Sequence, residues 1–361
     1  MTSLITEDYN DGYYHFSKDL KDYPDCWCYV VWSARGPGKT YSLLRYYTGQ
    51  GLPFVYMKRT KDDIDIICMD SETANLSPYK DINRDFGTNI HAKGLHRGIA
   101  GFYHCDEDGN AYGAPLSYAV ALNAVGKVKG IGLSECEAIC FDEFIPQPGE
   151  LIRRAEGRHL LDLYMTIRRD RVRRGRPDLK LVLFANANEI WTPVTDILEI
   201  TDDMAQLEAS GETHRVIEGR GIMLHRITRE ECPVLEEKSG GIYEAMKDTA
   251  WGRMAFGGEY SFNDFSNVRK ISTKKMQPLY KFIYQRREYS IFLRERDGVF
   301  YITRSGSNAP EVYDLDKEND QKAFYIDVVF RLRNACIDGR AVFETYTAYN
   351  LVMNYKKLFA V

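Results

Sequence analysis

Cys28-Tyr29-Val30-Val31-Trp32 runs straight into Ser33-Ala34-Arg35-Gly36-Pro37-Gly38-Lys39-Thr40, which opens the helix-like stretch TYSLLRYYTGQ. A short, continuous apolar run reads as a strand buried on both faces. A glycine-rich turn between such a strand and a helix lets backbone N–H groups converge on phosphate oxygens at the helix N-terminus. In that reading Lys39 reaches the β- and γ-phosphates of ATP, and the Thr40 hydroxyl holds Mg²⁺. Ser33, Ala34, Arg35, Gly36, Pro37, Gly38, Lys39 and Thr40 together form the expected nucleotide cradle. Two departures stand out: Ser33 occupies the place of the first glycine of GxxxxGK[ST], and Pro37 withholds one N–H from the cradle.

Further along, Pro53-Phe54-Val55-Tyr56-Met57, Ala138-Ile139-Cys140-Phe141 and Lys180-Leu181-Val182-Leu183-Phe184-Ala185 repeat the buried-strand pattern. Alternation with helix-like segments predicts an α/β domain with a parallel sheet. The third strand ends in Asp142-Glu143, at the same sheet edge as the phosphate loop. There Asp142 is expected to hold Mg²⁺ through water, and Glu143 to orient and deprotonate the attacking water. Asn186, just after the fourth strand, fits a sensor for that water or the γ-phosphate, or equally a strand cap.

The 361 residues carry a formal charge of only -4, with 44% apolar and 28% charged residues. That balance excludes a disordered or collagen-like chain and a small disulfide scaffold. No apolar run is long enough for a membrane span, and the polar start does not resemble a signal peptide. The eight cysteines form no CxxC pair, so they are expected to be reduced thiols in a cytoplasmic setting. The charge is unevenly spread. From Trp251 to Val361 there are 18 basic and 13 acidic residues, leaving 30 basic and 39 acidic in the first 250. Arg269 to Arg304 alone holds 10 basic and 3 acidic residues, the pattern of a polyanion-binding surface or a solvated face.

Three regions are expected: a P-loop ATPase domain over 1–192, a mostly helical acidic lid or linker over 193–258, and a smaller α+β domain over 259–361. In the last, strands are predicted near 280–285, 289–294 and 299–303, with a hairpin turn at Asp297-Gly298. A helix over 315–334, a strand over 341–347 and a terminal helix over 349–359 complete it. Arg153 to Lys180 contains ten basic residues and four acidic ones. Such an excess beside the hydrolytic carboxylates suggests an arginine finger supplied to a neighbouring subunit, and with it a ring.

The loop Ser33 to Thr40, Tyr56-Met57-Lys58-Arg59-Thr60-Lys61, Pro115-Leu116-Ser117, Phe141-Asp142-Glu143-Phe144 and Ala185-Asn186-Ala187 resemble the small-podovirus DNA-encapsidation ATPases. The motifs span residues 28 to 190, with weaker similarity into the tail. The resemblance implies an ASCE-type P-loop ATPase in a homopentameric ring. Such a ring acts in the host cytoplasm, transiently at the portal vertex, and drives double-stranded DNA into the procapsid. It also implies that Arg169 is the finger, with Arg171 in reserve, and that Lys61 and Lys129 grip DNA in the pore. A structural packaging RNA is a further possible partner in this family; a membrane is not. The family's C-terminal domain resembles a degenerate RNase H-like nuclease. Here the strand over 280–285 has no central Asp, whereas two-metal cleavage needs clustered carboxylates. The tail therefore reads as a nucleic-acid-binding module without cleavage. The alternatives are a large-terminase-like motor with a working nuclease, a nucleotide-switched DNA-binding or assembly factor, and a helicase.

Overall fold

The computed structural model describes residues 9–71, 74–128, 132–147, 149–150, 152–235, 241–249, 252 and 266–359. It divides into two compact units, Met1–Leu198 with Gln206–Phe262, and Glu199–Ala205 with Asn263–Val361.

The first unit opens with helix α1 (Phe16–Asp22) and strand β1 (Cys28–Ser33), whose every residue is buried. Helix α2 (Lys39–Gly49), strand β2 (Phe54–Lys58) and helix α3 (Lys61–Ile67) follow. The Thr60 hydroxyl accepts from the Asp63 N–H and the Asp63 carboxylate from the Thr60 N–H, a reciprocal cap that starts α3. Strands β3 (Ile90–His96), β4 (Ile99–Cys105) and β5 (Ala111–Ala121) lead to β6 (Ala138–Phe141), helix α4 (Glu156–Arg168) and β7 (Lys180–Asn186). Strands β8 (His214–Ile217) and β9 (Ile222–Arg226) close the sheet.

Across this nine-stranded sheet the order is β8-β9-β1-β7-β6-β2-β5-β4-β3. Neighbours from β9 to β5 pair in parallel, and β8, β4 and β3 run antiparallel to their neighbours. The four strands legible as apolar runs, β1, β7, β6 and β2, are the consecutive inner ones of the parallel part, with both faces covered. Phe16 of α1 sits edge-on to Tyr29 of β1 and Phe184 of β7, at 5.7 and 6.1 Å between ring centroids. This locks the N-terminal helix to the sheet beside the phosphate loop.

The expected helical lid over 193–258 is corrected in its first half. Residues 214–226 are two strands of the main sheet, so the first unit runs past residue 192. Acidic and polar residues around these short strands hide their apolar content, and only pairing with β1 reveals them. The boundary at 258/259 and the glycines before it lie outside the described residues.

The second unit contains β10 (Gln277–Tyr284), β11 (Arg287–Arg294), β12 (Val299–Thr303), β13 (Glu311–Asp314) and β14 (Ala341–Phe343), in the order β13-β10-β11-β12-β14. The meander β10-β11-β12 is antiparallel; β13 and β14 add in parallel at its edges. The single helix expected over 315–334 is two α-segments, Glu318–Phe324 and Phe330–Ile337, separated by a π-turn at Tyr325–Val329. The strand expected to reach 347 stops at Phe343. The Thr345 hydroxyl accepts from the Ala348 N–H and starts a helix over Tyr346–Met353 instead. No described helix is long and apolar enough to cross a membrane.

Candidate active site

The phosphate loop leaves the C-terminal end of β1 and enters α2. Gly36 and Gly38 both hold left-handed backbone, φ 93° and 90°, which only glycine adopts without strain. Ser33 has no such requirement: it is the last residue of the extended strand β1. The serine in place of the first motif glycine therefore costs the turn nothing. Its hydroxyl also has a use, accepting a 2.6 Å hydrogen bond from Lys39 Nζ. Register brings Asn186 opposite Ser33 across β1 and β7, and Lys39 Nζ lies 3.5 Å from Asn186 Oδ1. The Pro37 carbonyl accepts the Tyr14 N–H at 2.9 Å.

Asp142 follows β6 directly and is buried. The Thr40 hydroxyl donates to its Oδ1 at 3.0 Å, and the Tyr56 hydroxyl to its Oδ2 at 2.8 Å. Burial, reinforced by the neighbouring Asp142, holds the Tyr56 phenol well above its usual range, so it remains a neutral donor. Lys58, at the end of β2, places Nζ 3.2 Å from Asp142 and 2.9 Å from Glu143 Oε2. Burial lowers its pKa, but the two carboxylates outweigh burial and hold the ammonium above its ordinary value. Glu143 is a non-glycine residue in left-handed backbone, φ 56°. That turn lets adjacent Asp142 and Glu143, which would diverge on a strand, both meet Lys58. The turn is braced from beneath by Arg59, whose buried guanidinium pairs with Glu156 and donates to the carbonyls of Glu143 (3.2 Å) and Phe144 (2.8 Å).

Among these groups Gly36, Lys39, Thr40, Lys58, Asp142, Glu143 and Asn186 line one cleft of about 410 Å³. A second cavity of about 390 Å³ shares Gly36, Gly38 and Tyr41 with it and extends to Tyr13 and Arg45. Arg35 hydrogen-bonds Gln147 at 2.7 Å. The two left-handed glycines, an ammonium aimed into the cleft and a hydroxyl paired with a buried carboxylate fit a nucleotide triphosphate and its Mg²⁺.

Two solved structures match nearly the whole chain. A chain of the bacteriophage Phi-29 viral genome packaging motor assembly aligns over 96% of this chain and 99% of its own, at 17% identity and a TM-score of 0.64. The Phi-28 gp11 DNA packaging motor aligns over 98% and 99%, at 17% identity and a TM-score of 0.60. This chain has the fold of a phage genome-packaging motor. No protein-family model and no curated protein sequence matches it.

Within the packaging-motor fold, the arginine-rich stretch is sorted by burial. Arg171, the reserve finger candidate, is corrected: it is 1% exposed and pairs with Glu137. It also donates to the carbonyls of Ser134, Cys136 and Pro177. A guanidinium so enclosed braces the start of β6 and cannot reach a neighbouring subunit. Arg176 joins Glu135 and Glu137 at 2.9 and 2.7 Å, and Arg168 joins Asp178 through two hydrogen bonds of 2.7 and 2.9 Å. The acidic partners thus include residues from outside the stretch, which sequence counting omitted. Arg169 follows the last turn of α4, is exposed, and makes no ion pair among the described residues. Lys61 is half-buried at the start of α3, its Cγ only 2.7 Å from where a Cβ on Gly98 would stand. Lys129 lies outside the described residues. Tyr56, Lys58 and Arg59 were missed as site residues although they fall in a quoted motif. The signal was a strand whose polar end matches that of Phe141-Asp142-Glu143.

Proposed function

We propose that this chain is the ATP-hydrolysing subunit of a motor that moves double-stranded viral DNA into a preformed procapsid. The observation that carries the reading is the convergence of Lys39, Thr40, Asp142, Glu143 and Asn186 on one cleft, in a fold shared end to end with phage packaging motors. The insertion of β7 between β1 and β6 supports the ASCE-type reading, since it sets Asn186 between the phosphate loop and the carboxylates.

Mg²⁺-ATP, when bound, supplies the phosphoanhydride bond and the charge-neutralising cation. Lys39, now on Ser33, would turn to phosphate oxygens, and Thr40 with Asp142 would hold the metal, directly or through water. A metal held there would take over much of the counter-charge that Lys58 supplies to Asp142 and weaken that pair. Glu143 accepts a proton from water, and Asn186 orients that water. Arg169, exposed and without an ion pair among the described residues, acts as the finger on the neighbouring subunit's site, which makes the ring, read as a pentamer, a requirement for turnover. Lys61 and Lys129 are assigned to DNA phosphates in the pore, contacts that are independent of sequence.

The C-terminal unit is read as a vestigial nuclease-like module that binds DNA or a packaging RNA without cutting. In support, β10 carries no carboxylate, and among the described residues this unit holds no group of three metal-ligating side chains. Lys274, Lys275, Arg294 and Arg296 border a cavity of about 690 Å³ that suits a polyanion. The motor would work at the portal vertex, in the host cytoplasm.

The deciding experiment is ATP-dependent DNA packaging into purified procapsids, with Lys39→Ala as control. Packaging by the wild type and none by the variant is expected; packaging by both overturns the reading. Mixing Arg169→Ala with Glu143→Gln subunits should partly restore ATPase activity. No restoration at any ratio excludes a finger acting in trans.

A further inference from the structure

Four titratable side chains from separate stretches of the first unit meet away from the nucleotide cleft. His214 of β8 and His225 of β9 are direct cross-strand partners, so their rings lie side by side, centroids 3.8 Å apart. Asp19 of α1 faces one edge of this pair: its carboxylate is 2.9 Å from His225 Nδ1 and 3.7 Å from His214 Nε2. Glu231 faces the opposite edge, 3.2 Å from His225 Nε2 and 3.5 Å from His214 Nδ1. Thr213 Oγ1 also lies 2.9 Å from His214 Nδ1. Asp19 and His225 are buried, at 3% and 5% exposure.

A neutral imidazole carries one N–H and one lone pair. When His225 Nε2–H donates to Glu231, and His214 Nδ1–H to Glu231 or Thr213, the remaining nitrogens both turn lone pairs toward Asp19. In that tautomeric state two nitrogen lone pairs and a carboxylate converge as a ligand set for a cation, the place that a proton on His225 takes in metal-free protein. The ligand atoms of Asp19, His214 and His225 all fall within 4.8 Å of one another. We propose that Asp19, His214 and His225 form a binding site for a divalent transition-metal ion of the zinc type. Two imidazoles and one carboxylate suit such an ion, whereas Mg²⁺ and Ca²⁺ prefer oxygen ligands throughout.

The outer contacts fit this role. Ligating histidines characteristically donate their second N–H to a carboxylate, the position Glu231 occupies for both rings. The Tyr14 hydroxyl donates to Asp19 Oδ2 at 2.7 Å and orients that carboxylate. The ion would clamp α1 to the β8–β9 edge of the sheet. The segment leading into α1 touches the phosphate loop through Tyr14 N–H to the Pro37 carbonyl, and α2 through Phe16 N–H to Ser42 Oγ at 2.6 Å. The site is thus a structural staple for the segment behind the nucleotide cradle, and it stands independently of the packaging reading.

The test uses full-length protein stripped with a chelator and dialysed into excess Mg²⁺. Zinc titration followed by metal analysis should return about one tightly held ion per chain, with a raised melting temperature. Cobalt substitution should give visible d–d absorption without a thiolate-to-cobalt charge-transfer band, because the site has no sulfur ligand. His214→Gln, at a half-buried position, should lower zinc affinity at least about tenfold, and Glu231→Gln should lower it by about 10–100-fold. A thiolate band in the wild type, equal zinc retention by His214→Gln, or no binding at micromolar zinc would each overturn the site. The wild-type cobalt spectrum decides the question even where a variant does not fold.

Discussion

Replacing Lys58 with Met removes the ammonium paired with Asp142 while keeping a side chain of similar length. At 3.2 Å the pair is worth at most about 5 kcal/mol for an effective dielectric near 20. The Lys58 side chain is 18% exposed, so part of that attraction is screened. Asp142 also keeps its hydrogen bonds from Thr40 and Tyr56. Glu143 is half exposed and adds little. A loss of about 2–3 kcal/mol remains, below the roughly 3–5 kcal/mol for breaking a fully buried pair. For a unit of this size it lowers the melting temperature by about 4–12 °C. The reading makes a second demand: Mg²⁺ replaces the ammonium as the counter-ion of Asp142. Thermal melts of wild type and Lys58→Met are therefore compared in EDTA, and again with saturating Mg²⁺ and a non-hydrolysable ATP analogue. The deficit should be full in EDTA and largely disappear with the nucleotide. A deficit of equal size in both conditions would refute the exchange and leave Lys58 a purely structural residue. No deficit in EDTA would refute the energetic argument itself.

Arg171→Met, which leaves Glu137 short of a buried partner, should cost about 3 kcal/mol of stability in denaturant melts. Arg169→Ala should leave the melt unchanged yet lower ATPase activity about 10³-fold or more, if it is the finger. Tyr56→Phe deletes one donor to a buried carboxylate and should destabilise by about 1–3 kcal/mol, with a weaker Mg²⁺ requirement in nucleotide-binding titrations. In metal-free protein, burial opposes protonation of His225, but Asp19 and Glu231 on its two sides outweigh it and raise its pKa to about 9. His214 stacks on it, and the Tyr14 phenol, held well above its usual range by burial and Asp19, stays neutral. Because the folded value lies above the unfolded one, this stabilisation is complete below about pH 6.5 and lost as pH rises through about 9. Chelator-treated protein should melt at a lower temperature at pH 9.5 than at pH 6, and His225→Gln should flatten that difference.

Residues close together in the chain were legible because their chemistry is local. A buried strand, a left-handed glycine turn and a lysine at a helix start occupy thirteen consecutive residues, Cys28 to Thr40. Asp142-Glu143 likewise announces itself by ending an apolar run. The C-terminal meander was visible through its alternation and the turn at Asp297-Gly298. Tertiary structure alone decided what long-range pairing controls. Residues 214–226 look like part of a polar connector until β9 pairs with β1 and its apolar residues gain a covered face. Arg169 and Arg171 are two residues apart with the same charge, yet one is exposed and the other enclosed by Ser134, Cys136 and Glu137, which approach only when the chain folds back beside β6. Lys58 and Tyr56 became site residues only because β2 lies beside β6 in the sheet. Asp19 and His225, 206 positions apart, meet through the same kind of closure. Sequence spacing carries the chemistry of consecutive residues; burial and partner choice are properties of the packed sheet.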